Sequence, residues 1–200
     1  MIKEYRVSRV QDKDNINWET VPKANIDIYK WTDNYKADAY AQVVMVPSFG
    51  IIAKLTCMEV DPLATRKEDC GDVYKDSCLE FFSSFDGGKS YFNMEANANA
   101  ARTVNFRVVG EEKQVIWASH PEMFQISSYR AKDHWYLIYV LKFDEIKKFF
   151  PDYALGNFTA NFYHMGTNPY GEGCYYSMWN EIDSDKPNFH RPDCFGKMVL

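Results

Sequence analysis

The chain has 200 residues, 46% of them apolar, which is enough to bury the core of one domain. Its 28 acidic and 23 basic residues give a formal net charge of −5, and no basic run interrupts this mildly acidic composition. Because binding to a phosphate backbone requires a concentrated positive surface, nucleic acid is excluded as the expected partner. Aromatic residues make up 16% of the chain, which predicts that some rings face water or a ligand.

The N-terminal residues contain no apolar segment, and the longest apolar run, 135–141, is too short to span a bilayer. We therefore expect a soluble chain with no membrane partner. The five cysteines (Cys57, Cys70, Cys78, Cys174 and Cys194) include no C-x-x-C pair, which predicts reduced thiols. Reduced thiols favour the cytoplasm. A secreted or periplasmic location stays open, since removal of a signal peptide would leave the same sequence.

Short stretches rich in Val, Ile, Phe and Tyr, separated by turn residues, predict an all-β domain. No repeat or linker divides the chain, so we expect a single domain over 1–200, with 1–30 as an N-terminal extension packed on it. The predicted strands are 53–57, 78–82, 91–97, 103–109, 114–118, 123–129, 135–143 and 158–165. One short helix is expected, with Asp144 capping its first turn and Pro151 ending it.

Strands 78–82 and 91–97 flank a connection that contains Asp86-Gly87-Gly88, which predicts an antiparallel hairpin. Alternate side chains of a strand point to opposite faces. The side chains predicted to face the core are Phe92, Met94 and Ala96. The opposite face then carries Tyr91, Asn93, Glu95 and Asn97, joined by Glu80 from the neighbouring strand. Amides and carboxylates without lysine indicate a surface that makes directed hydrogen bonds, although a solvated outer face is the simpler alternative.

Three segments resemble family-9 carbohydrate-binding modules and their single-domain relatives. The first is VYKDSCLEFF at 73–82, in which an aromatic residue and an aspartate precede a strand glutamate. The second is YFNMEAN at 91–97, which leads towards Arg102. The third is the ending, YYSMW at 175–179 followed by PNFHRPDCFG at 187–196. The resemblance runs from about Trp31 to Leu200.

This resemblance implies a jelly-roll-like antiparallel β-sandwich that holds a sugar between two aromatic rings. By position, Tyr74 matches the first ring, Glu80 the strand carboxylate and Arg102 the basic residue after the second strand. The implied opposing ring is Trp179, with Tyr175 or Tyr170 as substitutes. The first position is tyrosine where the family has tryptophan, and no role is assigned to the 1–30 extension. Strand alternation separately places Arg107, and not Arg102, beside Thr103 and Asn105.

The expected function is non-catalytic binding of a mono- or oligosaccharide, with a glycoside hydrolase as a further expected partner. The expected ligand-binding residues are Tyr74, Glu80, Asn93, Glu95, Asn97, Arg102, Tyr175 and Trp179. Pyranose C–H faces pack on aromatic rings, while hydroxyl groups need polar partners that are themselves held in place. The planar guanidinium of an arginine suits two adjacent hydroxyls.

Three alternatives stay open at this level. A glycoside hydrolase would use Glu80 and Glu95, or Asp76 with one of them, as its carboxylate pair. A Cys194–His190 nucleophilic pair has only composition in its favour. The family resemblance also admits calcium as a structural cofactor. Asp69, Asp72 and Asp76 form an acidic loop with oxygen ligands for it, although a solvated loop is the simpler explanation. The four histidines lack metal-ligand spacing, so no other metal is predicted.

Overall fold

A computed structural model describes residues 1–32, 34–116, 120 and 123–200. Within these residues the chain forms two mixed sheets that face each other as a sandwich, with one α-helix. This architecture confirms the predicted β-sandwich. Two of the described strand pairs are parallel, β1 (Glu4–Arg6) with β15 (Gly196–Val199) and β2 (Ser8–Arg9) with β5 (Ala39–Val46), and the remaining pairs are antiparallel.

The larger sheet has nine strands in the described part of the chain. They are β1 (Glu4–Arg6), β4 (Ile28–Tyr29), β7 (Cys78–Ser84), β8 (Ser90–Asn97), β9 (Arg102–Val108), β10 (Gln114–Val115), β13 (Phe158–Thr167), β14 (Cys174–Met178) and β15 (Gly196–Val199). The smaller sheet has six described strands. They are β2 (Ser8–Arg9), β3 (Ala24–Asn25), β5 (Ala39–Val46), β6 (Gly50–Cys57), β11 (Gln125–Arg130) and β12 (Trp135–Lys142).

Strand β13 organises the larger sheet because it pairs with three other strands. One edge pairs with β7 over its length, while the other edge pairs first with β15 and then with β14. The 179–195 connection between β14 and β15 therefore leaves the sheet and returns to it. This excursion covers part of the outer face of the larger sheet, where it forms one wall of a cleft.

The N-terminal segment adds edge strands to both sheets. Strands β1 and β4 extend the larger sheet, and β2 and β3 extend the smaller one. The hydroxyl of Tyr5 links the two, since it donates to the carbonyl of Pro22 and accepts from the amide of Val43. The segment is thus a structural part of the sandwich.

The main core lies between the sheets and follows strand alternation. From β7 and β8 it takes Leu79, Phe81, Phe92, Met94 and Ala96, all fully buried. The predicted inward face of the hairpin is therefore confirmed. A second apolar cluster lies on the outer face of the larger sheet, beneath the excursion, and includes Phe82, Tyr163 and Phe189. The excursion covers only part of this outer face, and a cleft lies beside it.

Two local predictions differ from the structure. Helix α1 (Phe143–Phe149) is not capped by Asp144. Its N-terminal amide at Lys142 donates to the Glu145 carboxylate, and Glu145 also accepts from the amide of Phe124. The predicted strand 123–129 begins at Gln125, and the end of the predicted strand 114–118 lies outside the described residues. No helix among the described residues is long and apolar enough to span a membrane.

Candidate functional site

A cleft of about 390 Å³ opens on the outer face of the larger sheet. Its floor consists of outward-facing side chains from β7, β8 and β9: Glu80, Glu95, Thr103, Asn105 and Arg107. One wall is the 70–74 loop with Tyr74, and the other is formed by Tyr176 of β14 with Phe189 and His190 of the excursion. Polar groups line the bottom and rings line the sides.

The floor is built around two glutamates that face each other across neighbouring strands. Glu80 and Glu95 are direct cross-strand partners, so their Cβ atoms lie about 5 Å apart. Burial, together with the charge of Glu95, raises the pKa of Glu80 well above its ordinary value. Among the described residues, no donor hydrogen-bonds to the Glu80 carboxyl. The pair therefore keeps a proton to a higher pH than an exposed glutamate does, and in that form it offers both a donor and an acceptor to a ligand.

Burial also raises the pKa of Glu95, but several neighbours act in the opposite direction. The Asn93 amide donates to its carboxylate at 2.7 Å, and the positive charges of Arg107 and Lys113 further favour ionisation. Glu95 is therefore the member of the pair better placed to carry the negative charge, while Glu80 is better placed to carry the proton.

Asn93 lies beneath the cleft and orients its floor. Its side chain is fully buried, and its amide nitrogen donates to Glu95. Its carbonyl oxygen accepts from the amide nitrogen of Asn105 at 3.0 Å and from Nε of Arg107 at 3.3 Å. These contacts fix three floor residues relative to each other, and the remaining guanidinium nitrogens of Arg107 stay available to the cleft.

The aromatic walls differ in their support. Tyr74 is 38% exposed and projects from the short 3₁₀ turn Val73–Lys75. Tyr176 is held edge-on by Trp31, with ring centroids 5.5 Å apart. Phe189 stacks on the buried Tyr163 at 4.0 Å. The C-terminal wall is therefore fixed by packing, and Tyr74 is the ring with the most exposed face.

His190 closes one end of the cleft. Its ring stacks on Phe82 at 5.4 Å, and its Nδ1 lies 3.1 Å from the Tyr91 hydroxyl. Burial of its inner side, and then the positive charges of Arg107 and Lys113, lower the pKa of His190 to about 4. The imidazole is neutral at neutral pH. Nδ1 is thus engaged with Tyr91, whereas the Cys194 sulfur lies beside Asp193.

The structure brings only some of the predicted ligand-binding residues to the cleft. Tyr74, Glu80 and Glu95 line it, and Asn93 supports it from below. Asn97 lies on the same face but belongs to a separate buried cluster, where it donates to Asp76 at 2.8 Å and accepts from the amides of Asn99 and Ala101. Its hydrogen-bonding capacity is used within the protein.

Arg102 points away from the cleft because of its register. It pairs with Ala96, whose side chain enters the main core, whereas Arg107 pairs with the outward-facing Tyr91. The Arg102 side chain donates to the carbonyl of Ala100 and lies 3.8 Å from Asp69. Arg107, indicated by alternation and not by the resemblance, is the arginine of the floor.

The two C-terminal aromatics expected at the site are both buried. Trp179 is 4% exposed and packs in the main core against Phe162 and Tyr5. A side chain at Gly196 would meet the Trp179 ring at 2.3 Å, so the absence of a Cβ there makes room for the ring. Tyr175 is 2% exposed, with its hydroxyl 3.2 Å from His164 Nε2. Adjacent residues of a strand face opposite ways, which is why Tyr176 reaches the cleft.

The cleft residues that were not among the predicted ligand contacts include Thr103, Asn105, Arg107, Tyr176 and His190. Alternation along β9 and β14 is the signal that finds the first four. His190 has no such signal, because the path of the excursion depends on tertiary packing.

The acidic loop proposed for calcium uses its three carboxylates in different contacts. Asp69 accepts from the amide of Arg102, and Asp72 pairs with Lys75 at 2.6 Å. Asp76 is fully buried and accepts from Thr65, Arg66 and Asn97. Among the described residues these three carboxylates do not converge on one point, whereas calcium requires several oxygens around a common centre.

Comparison with solved structures identifies the same fold in known proteins. A candidate carbohydrate-binding protein from Bacteroides uniformis ATCC 8492 superposes with a TM-score of 0.80 at 22% identity, covering 100% of this chain and 99% of the other. A family-9 carbohydrate-binding module from Caldicellulosiruptor kristjanssonii, in complex with glucose, gives 0.68 at 13% identity, covering 99% and 95%. Its cellotriose complex gives 0.68 at 12% identity, covering 99% and 93%.

Comparison with curated proteins gave no match. The family model described as "Carbohydrate-binding family 9" matches residues 9–200, almost the whole chain. The match begins within the N-terminal segment, ahead of the start at Trp31 that the sequence motifs indicate. This chain therefore belongs to carbohydrate-binding family 9.

Proposed function

We propose that the cleft between Tyr74 and Tyr176 is the carbohydrate-binding site of this protein. The observation that carries the proposal is a floor of directed polar groups, Glu80, Glu95 and Arg107, left open between two aromatic walls. Such a combination suits a pyranose, because its C–H face packs on a ring while its hydroxyls exchange hydrogen bonds with the floor. Ligand sites commonly combine apolar walls with a few placed polar groups in this way.

The floor supplies hydrogen-bonding groups of both kinds. Glu80, whose raised pKa favours its protonated form, donates, the Glu95 carboxylate accepts, and the Arg107 guanidinium donates to adjacent hydroxyls. Asn93 orients Glu95, Asn105 and Arg107 before a ligand arrives. Because these groups are already ordered, binding does not have to immobilise them, which favours affinity.

The site has room for more than one sugar unit. A second depression of about 460 Å³ adjoins the cleft and shares Arg107 and His190 with it. Its lining includes Gly87, Gly88 and Gly110, which have no side chains to obstruct a ligand. We infer that an oligosaccharide continues from the cleft past His190 into this depression. The relatives in complex with glucose and cellotriose make these sugars the first ligands to test.

The position of the glutamates favours binding over hydrolysis. A glycosidase places its two carboxyl groups on either side of the bond that it cleaves. Glu80 and Glu95 are neighbours on one sheet face and approach a ligand from the same side.

Association with a separate glycoside hydrolase stays a prediction.

Isothermal titration calorimetry with glucose, cellobiose and cellotriose, supported by a glycan array, tests the proposal. We expect Tyr74→Ala, Tyr176→Ala and Glu80→Gln each to weaken binding about tenfold or more, while all three remain folded. Tyr129→Ala is the matched control, because Tyr129 is a similarly exposed tyrosine on the smaller sheet. Wild-type affinity in all three cleft variants would refute the assignment. Release of new reducing ends that Glu80→Gln abolishes would instead support the hydrolase alternative.

A further inference from the structure

We propose that Cys57, Glu59 and His164 form a zinc site that joins the two sheets. This site is separate from the cleft and independent of the saccharide proposal. Cys57 ends β6 of the smaller sheet, and Glu59 follows it by two residues, so their side chains point to the same side of an extended chain. His164 comes from β13 of the larger sheet. All three side chains are buried, at 0%, 6% and 1% exposure respectively.

The spacing of the three ligand atoms matches tetrahedral zinc coordination. The Cys57 sulfur lies 3.6 Å from His164 Nε2, and a Glu59 carboxylate oxygen lies 3.5 Å from the same nitrogen. With Zn–S of about 2.3 Å and Zn–N or Zn–O of about 2.1 Å, tetrahedral angles give separations of roughly 3.6 Å and 3.4 Å. All three ligand atoms lie within 4.8 Å of one another.

Hydrogen bonding alone leaves the arrangement around His164 poorly explained. Its Nε2 faces the Cys57 sulfur, the Glu59 carboxylate and the Tyr175 hydroxyl, at 3.6, 3.5 and 3.2 Å. One nitrogen carries at most one hydrogen, so it cannot donate to all three. Nδ1 is buried and has no hydrogen-bond partner among the described residues. A cation between these groups satisfies the three facing atoms at once.

Charge and donor type select zinc. A Cys57 thiolate and a Glu59 carboxylate together neutralise a divalent cation, which leaves a buried site without net charge. On binding, the metal displaces the thiol proton to solvent and His164 coordinates as neutral imidazole. A sulfur, nitrogen and oxygen set suits zinc, whereas calcium and magnesium prefer oxygen alone. The Tyr175 hydroxyl, 3.5 Å from the second oxygen of Glu59, is the nearest candidate for a fourth ligand.

The surroundings of Glu59 resemble the outer shell that orients metal ligands. Nε1 of Trp135 donates to one carboxylate oxygen at 3.0 Å, and the Tyr35 hydroxyl donates to the other at 2.9 Å. Ser77 adds a longer contact at 3.3 Å. Outer partners of this kind fix a carboxylate before the metal binds.

The test uses the full chain with the solvent-accessible thiols removed (Cys70→Ser, Cys174→Ser and Cys194→Ser) so that they cannot bind metal. The protein is purified with zinc, dialysed against metal-free buffer and analysed by plasma mass spectrometry. We expect one retained zinc per chain, a zinc-dependent rise in Tm, and loss of the metal in Cys57→Ser and His164→Gln. Cys78→Ser, which changes another buried thiol, and Glu80→Gln should both retain it.

Cobalt substitution of this same protein provides a readout that does not depend on a variant folding. Tetrahedral cobalt bound to Cys57 should give intense visible bands and a sulfur-to-metal charge-transfer band in the near ultraviolet. Folded protein that retains no zinc and shows no such band would overturn the proposal. Equal zinc retention by a folded Cys57→Ser variant would also overturn it.

Discussion

Two polar clusters, the Asp76 cluster and the cleft floor, lie side by side on the outer face of the larger sheet. They differ in how fully the protein itself hydrogen-bonds their carboxylates. The Asp76 cluster consists of Asp76, Thr65, Arg66 and Asn97. Burial raises the pKa of Asp76, but hydrogen bonds from Arg66, Thr65 and Asn97 outweigh it and hold the pKa below its ordinary value. In the cleft floor, burial and the charge of Glu95 raise the pKa of Glu80. A carboxylate saturated by the protein stabilises the fold, and one left without donors is available to a ligand.

The aromatic residues show the same difference. Trp179 is enclosed in the core, while Tyr74 leaves much of its ring exposed at the cleft. By sequence, Tyr74 matched the first ring of the family's sugar clamp and Trp179 was the candidate for the opposing ring. Only their surroundings distinguish a structural ring from a candidate binding ring. A substitution of Trp179 should therefore affect stability, and a substitution of Tyr74 should affect sugar binding.

The largest effect is expected from Trp179→Ala, which should lower the free energy of unfolding by about 4 kcal/mol, since a buried ring is lost and a cavity remains. Tyr74→Ala should change it by no more than about 1 kcal/mol and should weaken sugar binding instead. Urea unfolding followed by tryptophan fluorescence and circular dichroism measures both. Comparable destabilisation by the two variants would contradict this assignment.

Asp76→Ala should lower the free energy of unfolding by about 3 kcal/mol, because it removes the shared acceptor of Thr65, Arg66 and Asn97. Asp72→Ala serves as the control, because its ion pair with Lys75 is exposed, and it should leave the stability unchanged. A fully stable Asp76→Ala protein would show that the cluster does not support the fold.

Arg107→Gln should weaken saccharide binding about tenfold, because the floor loses a charged donor, and its stability should stay close to that of the wild type. Arg102→Gln is the matched control, five residues earlier on the same strand and turned to the opposite side. Calorimetry on both variants tests whether the sugar contacts Arg107, as the strand register indicates, or Arg102, as the family resemblance indicates. If Arg102→Gln alone lost affinity, the cleft would be misassigned.

Glu80→Gln should raise the free energy of unfolding by about 1 kcal/mol at pH 8. A buried carboxyl beside Glu95 costs free energy, either to ionise or to keep its proton, and a neutral amide avoids that cost. A raised pKa means that the folded protein holds a proton that the unfolded chain releases. Wild-type stability therefore falls as the pH rises from about 4.5 through the folded pKa of Glu80. The difference between variant and wild type should grow over that range in urea titrations.

Asp76 should show the opposite pH dependence, because its folded pKa is depressed. Its contribution is present at neutral pH and is lost as the pH falls below about 4. The difference in stability between wild type and Asp76→Ala should therefore narrow in acid.

For the Glu80 prediction, parallel pH profiles of stability for wild type and Glu80→Gln would mean that the cleft carboxyl pair does not share a proton.

Strand alternation alone predicts much of the arrangement of the cleft floor. It assigned Phe92, Met94 and Ala96 to the core, and it placed Glu80 and Glu95 on one face. It also indicated Arg107. The resemblance indicates Arg102, but the parity of the strand places that side chain outside the cleft. The resemblance also indicates Tyr175, which is one residue from Tyr176, the tyrosine that lines the cleft.

Strand β5 shows where local patterns fail. It is buried along almost its whole length, since the N-terminal segment covers its outer face and Gln42 donates to the carbonyls of Trp18 and Val21. A strand buried on both sides carries no alternation and was not predicted. Local sequence also failed at the start of α1. It indicated Asp144 as the capping residue, whereas Glu145 accepts from the amide of Lys142.

The sequence by itself determined the β-sandwich, the faces of its hairpin and the family resemblance, because these depend on periodicity and local motifs. Only the tertiary structure decided which polar groups are saturated. It buried Trp179, brought Tyr176 and His190 over the floor and gathered Cys57, Glu59 and His164 from two sheets. The physical reason is that burial and hydrogen-bond saturation depend on residues far apart in the chain, and no local pattern records which of them will meet.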